Sequence, residues 1–268
     1  MTRAAVIMQA PPASIGGALE ALTSTASDHK VELVQVGDSN ADGVEADIAV
    51  ALGGDGTMLR AMRYFLGTDT PVVGVNFGRI GFLTTIAGDG LGDGMARVFA
   101  GDYRVAELAT IEVAVGGVRH AAVNDVVATS SMPGRMITLG STLSGEHLGE
   151  TACDGLICCT PSGSTAYNLS NGGPVIMRGL AAMAITYVAP HSLHTRPLVV
   201  PSGLSLEVVN RSADVPVSVL VDGHQVGTLA PTDALSVDIG SQRARLALLP
   251  EVTFFSRYRE VFLSDSAP

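Results

Sequence analysis

The chain contains no tryptophan, and Phe and Tyr together make up only 4% of its 268 residues. Hydrophobic content is nonetheless 47% and mean hydropathy is +0.35. A substantial core must therefore be built mainly from Ala, Val, Leu and Ile, and global disorder is excluded. Lysine is almost absent too: Lys30 is the only one. That removes a Gly-x-x-x-x-Gly-Lys phosphate loop, a Schiff-base lysine in a pocket and the Val-Ala-Ile-Lys pattern of protein kinases. The three cysteines, Cys153, Cys158 and Cys159, form no Cys-x-x-Cys pair, which argues against structural zinc and for small thiols on a buried strand in a reducing compartment. Apolar runs are short and interrupted by Gly, Pro or charge, so no spanning helix is predicted. The first apolar run meets Pro11-Pro12 too early for a secretory segment and reads as a buried strand. These absences predict a cytoplasmic protein without a membrane partner. Positive charge is also in deficit, with 16 Lys and Arg against 26 Asp and Glu for a net charge of -10. That balance opposes nucleic-acid binding. It leaves room for an anionic small ligand met by arginines, backbone amides or a divalent cation.

What is present has two rhythms. Over the first hundred residues, strand-like runs (4–8, 31–36, 48–52, 71–75) alternate with helical spacing (15–22, 58–66), which predicts a mostly parallel α/β sheet. From Tyr103 onward, short β-rich segments recur at 111–115, 122–128, 136–143, 156–159, 184–188, 204–209, 217–221, 235–239 and 246–249. Gly, Pro, Asn and Asp separate most of them, the pattern of a β-sandwich. The tail 253–262 returns to helical spacing with aromatics on one face. The predicted fold is a Rossmann-like α/β domain (1–100 and 252–268) with an inserted all-β sandwich domain (101–251), the C-terminal helix returning to the first domain.

Two stretches carry chemistry. Gly53-Gly54-Asp55-Gly56-Thr57 follows an apolar strand, at the end of the sheet where open α/β folds bind ligands. Its glycines can present N–H groups to phosphate oxygens beside a helix N-terminus. A carboxylate among phosphates is repelled unless it takes a proton, binds a metal or accepts from a hydroxyl. Alternatively, Asp55 caps a helix starting near Thr57. Arg60 could reach a phosphate from the first turns of that helix. The second stretch runs from Asp154-Gly155 through Thr160-Pro161-Ser162-Gly163-Ser164-Thr165-Ala166-Tyr167-Asn168-Leu169-Ser170 to Gly172-Gly173-Pro174. Small residues, hydroxyls and a stackable ring suit a ligand better than a core. Asn124-Asp125 lies between valines; burying both side chains costs several kcal/mol unless they are satisfied, so a partner is expected and a turn is disfavoured. Asp154 stands either in this site or in a hairpin turn. His191 and His194 lack further ligands at metal spacing and read as structural, and Ser162 and Ser164 lack a nucleophile elbow.

With these residues in view, the chain resembles the NAD kinase family of bacteria over nearly its full length. The resemblance rests on the two stretches above, Asn124-Asp125, Pro190-His191-Ser192-Leu193 with Arg196-Pro197, and Asp222-Gly223. It implies transfer of the γ-phosphoryl group of ATP to the adenosine 2′-hydroxyl of NAD, giving NADP. It makes Asp55 the proton acceptor, with Gly56 and Arg60 helping to bind nucleotide. It assigns Asn124, Asp125, Arg135, Asp154, Thr165, Ala166, Tyr167, Asn168, Leu169, Ser170 and His224 to dinucleotide binding. Asp125 stands where many members carry Glu. A divalent ion, Mg²⁺, is implied together with ATP, with no residue assigned to it. Inorganic polyphosphate is a second possible donor, and a homodimer or homotetramer is implied, with a site that a neighbouring subunit could complete. Two rival readings remain, a lipid or other small-molecule kinase sharing the Gly-Gly-Asp-Gly-Thr turn and a non-catalytic dinucleotide sensor.

Overall fold

The computed structural model describes residues 1–8, 17–37, 43–78 and 81–263. It divides into two compact units, 1–107 with 244–268, and 108–243. The first unit opens with β1 (Arg3–Met8), α1 (Ala18–Asp28), β2 (Glu32–Val36), β3 (Ile48–Leu52), α2 (Asp55–Tyr64), β4 (Val72–Asn76), β5 (Ile86–Ala87) and α3 (Leu91–Phe99). Strands β2-β1-β3-β4 pair in parallel in that order, and β5 adds to β4. β3 and β4 are buried along their whole length, as a sheet covered on both faces requires. Alternate residues go to opposite faces. Val50, Leu52, Val73 and Val75 pack with Leu22 of α1 and Met95 and Val98 of α3. On the other face Met58 of α2 lies over Gly74, where a Cβ would collide with its sulfur.

The helix expected at 15–22 begins at Ala18, and Ile15 lies outside the described residues. α3 was not anticipated. Gly92 and Gly94 break its apolar pattern, yet Gly94 is buried where a Cβ would strike the Ile86 side chain.

The second unit is built from β6 (Arg104–Val115), β7 (Val118–Ala122), β8 (Asp125–Ser130), β9 (Ile137–Leu143), β10 (Glu146–Cys153), β11 (Gly155–Cys159), the short helix α4 (Tyr167–Ser170), β12 (Ala182–Val188), β13 (Leu198–Pro201), β14 (Leu206–Asn210), β15 (Val217–Val221), β16 (His224–Leu229) and most of β17 (Ala234–Leu248). One sheet runs β10-β9-β14-β17 and continues through β6 to β7; the other runs β13-β12-β11-β8-β15-β16. Ile111, Val113, Leu139, Val208 and Val237 of the first sheet meet Val126, Leu156, Met183, Ile185 and Val219 of the second in one aliphatic core. This is the predicted sandwich.

β17 joins what the sequence divides into 235–239 and 246–249, and its end pairs in the first unit, Leu246 beside Val72. The change of rhythm in the sequence sets the domain bounds at 100/101 and 251/252. The compact units divide at 107/108 and 243/244, inside β6 and β17. β7, β10, β13 and β16 were not predicted; β10 and β16 are largely solvent-facing along their length and lack an apolar repeat.

α5 (Phe254–Tyr258) follows a Thr253–Ser256 capping box and continues as a π-helical turn, Arg259–Leu263. It belongs to the first unit, as predicted for the returning tail. Among the described residues, no helix is long and apolar enough to cross a membrane.

Cys153 and Cys158 lie in the sandwich core, and Cys159 faces the opposite side of its sheet. Burial pushes the Cys153 and Cys159 thiols up to about 12 and raises Cys158 as well. Such thiols carry almost no thiolate near neutrality. A disulfide reagent should therefore leave all three unlabelled in the native protein and titrate three once guanidinium is added. Fast native labelling would contradict the packing.

Candidate functional site

In the first unit, β3 ends at Leu52, Gly53 donates its N–H to the Val75 carbonyl at 2.9 Å, and α2 begins at Asp55. Helix α2 therefore starts two residues earlier than Thr57. Its N-cap is Gly54, without a side-chain cap, so the capping reading of Asp55 is overturned. The Asp55 carboxylate turns to another segment. The backbone N–H of Phe82 donates to one oxygen at 3.1 Å and that of Leu83 to the other at 3.2 Å. Gly81 lies so close that a Cβ there would overlap the carboxylate. Each oxygen thus accepts from a backbone donor and keeps lone-pair capacity for another partner.

Gly56 is exposed beside it. Arg60 folds along its own helix: Nε donates to the Tyr64 hydroxyl at 2.8 Å, and the guanidinium lies 5.6 Å from the Tyr64 ring centroid.

In the second unit, the strand predicted over 122–128 is interrupted. β7 ends at Ala122, Val123 and Asn124 form a bend, and β8 starts at Asp125. The flanking valines had argued against a turn. The bend forms because Asp222 supplies what a strand partner would, its carboxylate accepting from the N–H groups of Val123 (2.9 Å), Asn124 (2.7 Å) and Asp125 (3.2 Å). The Thr160 hydroxyl donates to the Val123 carbonyl at 2.6 Å, its N–H donates to the Asn124 carbonyl at 2.9 Å, and Gly163 sits where a Cβ would strike the Asn124 backbone. The start of the long polar motif is thus locked onto Asn124-Asp125.

Asn124 and Asp125 are 7% and 6% exposed. The Asn124 Oδ1 is buried without a hydrogen-bond partner among the described residues, a state that costs roughly 1–3 kcal/mol and fits an atom awaiting a donor.

Burial, and secondly the Asp222 carboxylate, push Asp125 up to about 7 from an ordinary 3.8. The folded state therefore binds more protons than the unfolded state between those values. Stability falls as pH rises through that window, and the full penalty is present above it. Asp125→Asn should remove it. The variant should gain on the parent by up to ~4 kcal/mol at pH 8 and by less at pH 5. Ligand-free thermal unfolding at both pH values checks this, and parallel pH profiles would contradict it.

The remaining predicted residues divide. Tyr167 is 45% exposed, Thr165, Ala166 and Leu169 are half-buried, and Ser170 is exposed. All follow the Thr160 turn. Asn168 is fully buried. Its amide nitrogen donates to the Ser164 and Pro174 carbonyls at 3.1 and 3.0 Å, and its oxygen accepts from the Thr186 hydroxyl at 2.7 Å. The Asn168 side chain therefore shapes the loop from within.

His224 is exposed at the Asp125 end of the sheet, since Val221 pairs with both His224 and Val126. Asp154 lies at the other end. It is the single residue between β10 and β11, which belong to different sheets, so the hairpin reading fails. Gly155 pairs with Thr129 and Cys159 with Asp125, which sets Asp154 about 15 Å along the strand from Asp125. Arg135 is beyond that same far end of β8, where its guanidinium pairs with Asp214 at 3.1 Å.

The sequence reading missed the 81–83 segment and the anchoring role of Asp222. The first acts through backbone N–H groups of apolar residues and leaves no side-chain signature. The second has one in Asp222-Gly223, where Asp222 takes φ +46°, a conformation for which Asp is enriched.

The family pattern described as "ATP-NAD kinase N-terminal domain" matches residues 13–103, and "ATP-NAD kinase C-terminal domain" matches 123–249. An NAD kinase of Gemmatimonas aurantiaca is 37% identical over 236 residues, covering 85% of this chain and 81% of that protein. One from Thermobifida fusca is 35% identical over 270 residues, covering 96% and 80%. Among solved structures, yeast NADH kinase complexed with NADH superposes with a TM-score of 0.85 at 21% identity, over 100% of this chain and 89% of that one. An Archaeoglobus fulgidus NAD kinase in complex with ATP gives 0.78 at 24% identity, over 96% of each; both show the fold. On the relatives' identity and coverage, the chain belongs to the ATP-NAD kinase family.

Proposed function

We propose that the protein is an NAD kinase, transferring the γ-phosphoryl group of ATP to the adenosine 2′-hydroxyl of NAD to give NADP. Beyond the family membership, the observation that carries this reading is the Asp55 carboxylate, oriented by the backbone N–H groups of Phe82 and Leu83. A carboxylate so held can accept a hydroxyl proton without rotating.

A sugar hydroxyl is far less acidic than a carboxylic acid, so proton removal before attack is steeply uphill. Asp55 acts late, taking the proton as the hydroxyl oxygen bonds to phosphorus in a loose transition state. Most of the acceleration then comes from holding the hydroxyl in line. Gly56 and Arg60 serve the nucleotide. Asn124 Oδ1 and Asp125 serve as acceptors for the NAD ribose or nicotinamide side. Thr165 through Ser170 line the dinucleotide, with Tyr167 as its stacking surface and Asn168 as internal support. His224 lies at the same end of the sandwich.

Among the described residues no three His, Cys, Asp or Glu side chains come together as a metal-holding set. In this reading the divalent ion comes with the nucleotide substrate, where it neutralises triphosphate charge. In the same reading the protein is a homodimer or homotetramer. The separation of Asp154 and Arg135 from Asp125 fits a ligand reached from two copies, and light scattering reads the assembly directly.

Coupled detection of NADP from NAD with ATP, and separately with polyphosphate, tests the activity. Phosphorylation of a diacylglycerol instead would favour a lipid kinase, and NAD binding without turnover a sensor.

A further inference from the structure

The segment that grips Asp55 is itself gripped by the C-terminal helix. The Arg257 Nη2 donates to the carbonyls of Thr84 and Thr85 at 3.0 and 3.2 Å, and its Nη1 pairs with Glu260 at 2.7 Å. Arg257 is 8% exposed, and its Nε is buried with no partner among the described residues. Phe82 packs against Phe254 and Phe262 of the same tail, with ring centroids 6.3 and 5.6 Å apart. The Thr85 hydroxyl donates to the Ala247 carbonyl at 3.0 Å.

Residues 82–85 thus present N–H groups to Asp55 on one side and carbonyls to Arg257 on the other. A guanidinium is a poor choice for filling a core, since it must be desolvated and here leaves one donor unmet. A methionine would fill the space without that penalty. What the guanidinium adds is a planar group whose Nη2 holds two successive carbonyls while its Nη1 is tied to Glu260, which fixes the direction of that Nη2 and with it the orientation of the peptides it holds.

We propose that Arg257 is a positioning residue for phosphoryl transfer, acting through the 82–85 segment to hold the Asp55 carboxylate in register with the acceptor hydroxyl. This rests on the reading of Asp55 as the proton acceptor. It assigns the tail a catalytic dependence that its distance in sequence conceals.

The test is a mutant cycle on the full chain, with Arg257→Met, Arg257→Lys, Asp55→Asn and Arg257→Met/Asp55→Asn assayed for kcat and for KM of NAD and ATP. Residual rates are read by single turnover with labelled ATP. Arg257→Met should lower kcat ~10- to 100-fold, the scale of misplacing a reacting group by about an ångström, with both KM values within about threefold. Arg257→Lys, which keeps a cationic donor but loses the planar group tied to Glu260 and to the two carbonyls at once, should fall between parent and Met. In the Asp55→Asn background, Arg257→Met should change the residual rate by less than about threefold, because the group it positions is gone. If Arg257→Met does not fold, Arg257→Lys carries the same comparisons in both backgrounds.

An unchanged kcat, a rise in KM alone, or an equal loss in both backgrounds would overturn the proposal while leaving Asp55 as the acceptor. Parental turnover by Asp55→Asn would overturn the acceptor reading itself, and this inference with it.

Discussion

Asp55→Asn is expected to lower kcat by ~10²- to 10⁴-fold, the range for losing a positioned acid–base group. The affinity for NAD should stay within about tenfold, or ~1.4 kcal/mol. The amide cannot take the hydroxyl proton, which removes the acceptor. It also faces two backbone donors where only one of its atoms can accept, so either the Phe82 or the Leu83 N–H loses its partner. Both effects fall on the transition state more than on bound NAD. The variant should remain folded, because helix α2 is capped at Gly54 without help from the Asp55 side chain. Steady-state kinetics with isothermal calorimetry check it. Turnover close to that of the parent would remove the proton-acceptor role.

The second large effect comes from a residue with no chemistry of its own. Gly81→Ala places a methyl group in the space of the Asp55 carboxylate. The cheapest relief is rotation of that short side chain, which breaks its bonds to Phe82 and Leu83. Overpacking eased in this way should cost only ~1–3 kcal/mol of stability. The displaced carboxylate should nonetheless lower kcat ~10- to 100-fold. The diagnostic is the split between the two, with a modest shift in Tm and a large loss in kcat. Parental kcat in a folded Gly81→Ala protein would show that Asp55 need not sit where the structure puts it.

These two substitutions also mark how far the sequence could be read. The turn at Asp55 was legible because glycines and a lone acid after a fully apolar strand have few structural uses. Its partners were not, because backbone N–H groups of Phe82 and Leu83 look the same in sequence as those of any apolar run. Asn124-Asp125 was identified as needing partners. Asp222, about a hundred residues away, holds the backbone N–H groups there rather than those side chains, and the resulting bend overrode the valine pattern around it. The polar run after Thr160 reads as uniform in composition, yet Asn168 is consumed by three internal hydrogen bonds while Tyr167 faces solvent. Asp154 and Asp125 sit close together in a list of candidate residues. Strand pairing sets them at opposite ends of one strand, and only the register shows that. The α/β rhythm and the sandwich were legible from apolar periodicity, whereas the largely solvent-facing strands β10 and β16 had no such signal to give.

The most direct test of the account is a crystal structure of the protein with NAD bound, read for one distance, from the nearer Asp55 carboxylate oxygen to the adenosine 2′-oxygen. The account predicts about 2.6–3.2 Å, or one bridging water, with Phe82 and Leu83 still donating to the carboxylate. A 2′-oxygen well beyond that reach, with a different side chain against it, would contradict it.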